Sequence, residues 1–193
     1  MHEKNQPLFP IRKKYIIDRY KRDILYRSVT HGSVKTAQRI LETGVGGHNI
    51  VNNNDVSILY IAATQGNIRM VQLLLTYGFQ GPTALHAAAY KGYVEIVKLL
   101  LNYRVDINHV DKSGYTALYP AAHAGHTEIV KLLLIHGARD PLALHIAAYK
   151  GYVEIVKLLL NYGADISHKD KSGYTAVDCA IQAKEIAETR LNL

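Results

Sequence analysis

The chain contains no tryptophan, two phenylalanines, five prolines and a single cysteine in 193 residues. One thiol, Cys179, cannot close an intramolecular disulfide, and no Cys/His spacing matches a zinc site, so both staples of small secreted domains are excluded. A reducing, cytoplasmic or otherwise intracellular setting is the expectation. Also missing are an apolar segment before a small-residue cleavage site near the N-terminus and any run long enough to span a bilayer. These absences lead us to expect a soluble protein without a Sec-type signal. Nucleophile-elbow, phosphate-binding and zinc-protease motifs are absent too, and the serines fall in turn sequences.

What is present is tyrosine, at 14 copies, within a 48% apolar composition. Side chains with an apolar body and a polar tip suit half-buried faces. The length fits one compact domain or a short solenoid. The net charge of +7 is uneven: residues 1–27 carry +5, with Lys4, Arg12, Lys13, Lys14, Arg19, Lys21, Arg22 and Arg27 against Glu3, Asp18 and Asp23, and the remainder carries +2. Charge gathered at one end describes that end rather than the whole molecule.

The dominant signal is internal repetition. Residues 88–103 and 147–162 are identical, and the longer segments 83–115 and 142–174 differ at only six of 33 positions, 59 residues apart. Relaxing the anchor to x-x-Leu-His/Tyr, two small residues, a Gly and a Val/Ile-rich run ending in Leu-Leu-Leu finds copies beginning near residues 23, 57, 83, 116 and 142, with a degenerate copy at 175–193. Copies of 33 or 34 residues alternate with copies of 26 that lack seven residues after the second apolar segment. Leu85, Ala88 and Ala89 have helical spacing, Gly92 punctuates, and Ile96, Val97, Leu99, Leu100 and Leu101 resume a helical period. Each full copy is therefore a helix, a turn, a longer helix and an extended link. Gly78, Gly137 and Gly163 stand where a left-handed helix end is expected, and Arg104 takes that place in the third copy. Asp111-Lys112-Ser113-Gly114 and Asp170-Lys171-Ser172-Gly173 are turn sequences.

A period of about 33 residues with a T-P-L-H-x-A signature is that of ankyrin repeats. The chain closely resembles that family at Thr83-Ala84-Leu85-His86-Ala87-Ala88, Gly125-His126-Thr127-Glu128-Ile129-Val130, Leu144-His145-Ile146-Ala147-Ala148, Gly163-Ala164-Asp165 and Asp170-Lys171-Ser172-Gly173-Tyr174-Thr175. Ala84 and Ala117 replace the usual proline. The resemblance implies an all-α ankyrin-repeat solenoid of helix-turn-helix units. The links at 77–82 and 136–141 are too short for the family's hairpin finger, so fingers are expected only after alternate repeats, leaving gaps in the palisade. Residues 1–22 are read as a basic N-terminal segment, favoured as a capping helix through Ile11, Tyr15, Ile16, Tyr20, Ile24 and Leu25, with a nuclear-import or nucleic-acid signal as the alternative. Residues 175–193 are read as a degenerate cap.

The resemblance implies that His86 and His145 are structural hydrogen-bonding groups, and that Asp106, Asp111, Asp165 and Asp170 are turn residues rather than paired acids. Cys179 is expected to pack in a small apolar slot. His123 and His126 have no carboxylate ligand at a matching spacing. We therefore expect no enzyme, no cofactor and no metal site, but a monomeric protein-interaction module, an adaptor, scaffold or inhibitor, working through the concave ankyrin face. The family's recognition positions carry over to Tyr90, Lys91, Lys112, Ser113, Tyr115, His123, Tyr149, Lys150, Lys171, Ser172 and Tyr174, with Gln65 from a less similar copy. Tyr beside Lys on one face calls for a protein partner with an acidic surface. The alternative is a nucleic-acid or anionic-surface binder using the basic N-terminal segment. High Tyr, Ile, Lys and Asn usage with a near-identical repeat pair resembles ankyrin proteins of host-associated bacteria or viruses, some of which are delivered into host cells.

Overall fold

The computed structural model describes residues 9–45, 50 and 56–191, with side chains for 17–45, 50 and 56–185. Among the described residues every regular element is a helix. The chain divides into two compact units, residues 1–81 and 82–193.

The first unit holds α1 (Phe9–Thr30), α2 (Val34–Glu42), α3 (Ile58–Thr64) and α4 (Ile68–Thr76). Inner helices α1 and α3 pack side by side, outer helices α2 and α4 do the same, and each inner helix packs on its own outer partner. Leu25, Val29, Leu41, Leu59, Met70, Val71 and Leu74 are among the buried residues of this stack. The starts of α3 and α4 are capped by side chains: Ser57 Oγ accepts the Tyr60 N–H and Asn67 Oδ1 accepts the Met70 N–H, each at 3.1 Å. Helix α1 runs without interruption across residue 22, where the basic segment was expected to give way to the first repeat. Between Pro10, tolerated in a first turn, and Gly32 there is no proline or glycine to break it. Lys21 donates to the Thr43 carbonyl and Arg27 pairs with Asp23, so part of the basic cluster serves local packing. Lys4 lies outside the described residues, and the side chains of Arg12, Lys13 and Lys14 lie outside those described.

The second unit continues the same scheme with α5 (Ala84–Lys91), α6 (Val94–Asn102), α7 (Leu118–Ala124), α8 (Thr127–Ile135), α9 (Ala143–Lys150), α10 (Val153–Asn161) and α11 (Ala176–Leu191). Inner helices α5, α7, α9 and α11 stack in that order, and outer helices α6, α8 and α10 stack behind them. The inner faces are built from alanine, with Ala84, Ala88, Ala89, Ala117, Ala121, Ala122, Ala143 and Ala147 all fully buried. Small side chains let neighbouring inner helices approach closely, while leucines and isoleucines of the outer helices fill the space behind. Gly92 and Gly125 end α5 and α7 in the left-handed conformation at φ 78°. A side chain there would also collide with the next repeat: an added Cβ lies 2.6 Å from the His126 ring at Gly92 and 3.0 Å from the Tyr152 ring at Gly125. In the degenerate last copy the helix-turn glycine is missing, and α11 runs on as one helix.

Two extended turns follow α6 and α10, at 111–115 and 170–174, and none follows α8. Each is closed by a carboxylate: Asp111 Oδ1 accepts the N–H groups of Ser113 and Tyr115, and Asp170 Oδ1 those of Ser172 and Tyr174, at 2.8 and 3.0 Å in both cases. The short link after α8 is closed instead by buried Asp140, whose Oδ2 accepts the Thr116 N–H at 2.8 Å and whose Oδ1 accepts the Leu142 N–H at 2.9 Å. Burial pushes the Asp140 carboxyl above the ordinary carboxylate range, against the pull of those donors.

Candidate functional site

His86 and His145 occupy the Leu-His anchor of α5 and α9. Their Nε2 atoms reach the carbonyls of Tyr115 and Tyr174, in the turn that follows each repeat, at 2.9 and 3.1 Å. A carbonyl only accepts, so the proton sits on Nε2, and the buried Nδ1 atoms make no hydrogen bond. These histidines fix the fingers to the inner helices. In α7 the same place is held by Tyr119, and no finger follows its repeat. Freed of that duty, the Tyr119 ring stacks on Tyr115 at a centroid distance of 4.0 Å and an interplanar angle of 13°.

Tyr119 also joins the sequence-predicted residues into a column. Its ring stacks on His123 at 6.3 Å, and His123 stacks on Tyr90 at 6.3 Å. Tyr90, His123 and Tyr115 are thus brought together, through a residue that sequence reasoning missed. The signal for it was the Tyr variant of the anchor in a repeat with a short link. Burial and the neighbouring Tyr115 push the Tyr119 phenol upward, keeping it a neutral donor.

The missing finger leaves a cleft of about 370 Å³ between the turns at 111–115 and 170–174. Ser113, Gly114, Tyr115 and Tyr119 form one wall, Asp170, Lys171 and Ser172 the other, and Leu142, Ile146 and Tyr149 of the α9 repeat the floor. That volume is in the range of sites that hold a small ligand or a few side chains. Five predicted positions therefore line one cavity: Ser113, Tyr115, Tyr149, Lys171 and Ser172. Lys91, Lys112 and Lys150 are exposed outside it, and Tyr174 is 50% exposed beside the second finger. Gln65 belongs to the first unit, where its amide donates to the Thr30 carbonyl. Cys179 was expected in an apolar slot, yet it lines the cleft half-buried. Pro120, the aligned residue of the α7 repeat, is half-buried as well, so this position of the inner helix faces the edge of the stack rather than its core. Burial, with Asp170 and Asp178 nearby, pushes the Cys179 thiol upward and makes it a poor nucleophile.

The acidic side chains at the fingers are consumed by their turns. Asp170 is held below the ordinary range by the Tyr174 N–H, and Asp165 by the Ser167 hydroxyl and N–H. Among the described residues no three His, Cys, Asp or Glu side chains gather as a metal site, and no helix is long and apolar enough to cross a membrane.

Family models described as ankyrin repeats match residues 24–75, 77–142 and 135–180. The chain belongs to the ankyrin-repeat family. The ankyrin-repeat domain of human ASB11, a crystal structure, superposes with a TM-score of 0.71 at 28% identity, covering 84% of this chain and 81% of that one. Among curated relatives, the mouse ankyrin repeat and SAM domain-containing protein 6 is 34% identical over 117 residues, 56% of this chain and 13% of the relative. A putative ankyrin repeat protein of fowlpox virus, FPV014, is 29% identical over 89 residues, 42% of this chain and 20% of its own length. The chain thus spans a small fraction of the curated relatives it matches. Ankyrin repeats are in general protein-interaction modules, and this fold is typically a non-catalytic scaffold.

Proposed function

We propose that this ankyrin-repeat chain acts as an adaptor, scaffold or inhibitor that binds an acidic segment of a protein partner along the concave face of its second unit. The observation that carries the reading is the cleft between the 111–115 and 170–174 fingers. It offers an aromatic wall of Tyr115 and Tyr119 and a floor of Leu142, Ile146 and Tyr149, where an anchor side chain is desolvated, with Lys171 on the opposite wall and further exposed lysines outside. This is the layout of a binding hot spot with a polar surround. Tyr90, His123, Tyr119 and Tyr115 present a continuous stacked column leading into it. Lys91, Lys112, Lys150 and Lys171 form no ion pair among the described residues and are available to a partner's carboxylates. Their contribution is to association rate, screened over about 8 Å at physiological salt, whereas the tyrosines govern dissociation.

A displayed library of random peptides panned on the full chain tests this. Peptides combining an aromatic or aliphatic anchor with flanking Asp and Glu are expected. Lys91→Glu with Lys150→Glu should slow their association and flatten its salt dependence, and Tyr90→Ala with Tyr149→Ala should speed dissociation while the chain stays folded. Selected peptides that bind both folded variants like the parent would remove the concave face from consideration. Capture of arbitrary DNA that weakens steeply with salt would favour the basic N-terminal segment instead.

A further inference from the structure

Helices α6 and α10 have one sequence, VEIVKLLLN, in two surroundings. In α6, Val97 is fully buried and Leu101 is 9% exposed, because α8 packs against that side. In α10, the corresponding Val156 is only half-buried, Leu160 is 38% exposed, and Val153 at the head of the same stripe is 63% exposed. Their spacing of three and four residues puts them on one side of the helix. The opposite side is unchanged, with Ile155 and Leu159 as buried as Ile96 and Leu100.

Helix α11 repeats the pattern. Val177 and Ile181 are 49% and 53% exposed, where Leu118 and Ala122 of α7 are buried. Each internal outer helix of this unit touches its own inner helix and the preceding outer helix, as α8 touches α7 and α6. An outer helix partnering α11 would therefore rest on α11 and α10, and among the described residues none does so. Leu160, Val177 and Ile181 are exposed, and Val156 is half-buried, where the preceding repeats bury the corresponding residues.

We infer that the α10–α11 face is a second docking surface, distinct from the concave cleft, that receives an amphipathic helix with an apolar stripe and a carboxylate in its first turn. The chemistry of the occupant is read from the helix that covers the identical sequence. Helix α8 brings Ile129, Val130, Leu133 and Leu134 as its buried stripe, and its Glu128 reaches Lys98 of α6 at 3.4 Å. Lys157 is the counterpart of Lys98 in α10, is exposed, and meets no carboxylate among the described residues. A second copy stacked head to tail is disfavoured by the same alignment. Helix α2, the first outer helix, has Lys35 in the place of Glu128 and Thr36 in the place of Ile129, so it would set lysine against lysine and a hydroxyl against the stripe.

The probe is a hydrocarbon-stapled helical peptide with the sequence of residues 125–136, titrated against the full chain by fluorescence anisotropy. Saturable binding is expected, weakened about tenfold or more by Val156→Asp or Leu160→Asp. Lys157→Glu should weaken it as well, and a peptide carrying Glu128→Lys should restore affinity for that variant alone. Tyr90→Ala with Tyr149→Ala should leave this binding untouched, which separates failure here from failure of the concave-face reading. The inference is overturned if the peptide does not bind the folded chain, or binds the 156, 157 and 160 variants like the parent. It is equally overturned if sedimentation shows a dimer of the chain that Leu160→Asp dissociates, since the occupant is then a second copy.

Discussion

Segments 83–115 and 142–174 are near-identical in sequence and fold alike, down to the histidine that grips the following finger, but they do not have the same surface. The first is followed by a complete helix pair. His126 covers Gly92 and donates from Nε2 to the Tyr90 carbonyl at 3.0 Å, α8 seals Val97 and Leu101, and Tyr90 stacks on His123. Among the described residues the second is followed by α11, with no outer helix behind it. Gly151 meets nothing within 4 Å, Val156 and Leu160 emerge, and Tyr149 turns from a stacked ring into the floor of a cleft. In a repeat protein a residue's environment is set half by its own copy and half by the next one, so duplication copies shape without copying exposure.

The sharpest way to break this comparison is to make the same change in both copies. Leu101→Ala should cost about 2–4 kcal/mol, as for a sealed core position, and Leu160→Ala less than about 1 kcal/mol, because much of that side chain is already in water. Equal losses in chemical denaturation would mean that Leu160 is covered in solution. Next in size is the glycine pair. Gly92→Ala and Gly151→Ala both pay for a positive φ, about 1 kcal/mol, but only the first drives a methyl group into the His126 ring. A thermal melt that ranks Gly151→Ala as the worse substitution would contradict the packing described.

A third pair exploits a difference the duplication did make. Arg104 is the one described non-glycine residue at positive φ, 54°, where Gly163 has 85°. Arg104→Gly should stabilise by about 1 kcal/mol and Gly163→Arg should destabilise by a similar amount. A lower melting temperature for Arg104→Gly would show that the arginine side chain contributes more than its backbone strain costs.

The smallest effect is local and pH-dependent. With its carboxyl lowered by the Tyr174 N–H bond, Asp170 stabilises the second finger above the ordinary carboxylate pKa, and that stabilisation is lost as pH falls through the lowered value. The amide resonances of Ser172 and Tyr174 should therefore hold their positions through the ordinary carboxylate range and move only at more acidic pH. Movement within or above that range would mean the turn is open in solution.

Much of the fold was legible because helix-pair repeats encode themselves locally. Apolar period, Gly punctuation and Leu-Leu-Leu runs gave the helices of each copy, and the seven missing residues after α8 announced a gap between fingers. The apolar spacing from Ile11 to Leu25 fits one helix across residue 22, as α1 is, because a change in charge does not interrupt a helix that lacks a breaker. At the site, the Tyr/Lys positions followed from register with the family, but Tyr119 did not, because its role depends on a finger that its own repeat lacks.

What the sequence determined by itself was therefore everything with a short range: the order of helices, their ends, the Asp-locked turns and the histidine anchors, each fixed by residues within one copy or the next. Tertiary structure alone decided which of two identical stripes is core and which is surface, that the gap between fingers is a cleft of about 370 Å³, and that Cys179 lines it. The physical reason is that burial belongs to neighbours: the nine residues VEIVKLLLN specify a helix and two apolar sides, and only the presence or absence of α8's counterpart determines whether the second side is sealed or exposed to solvent.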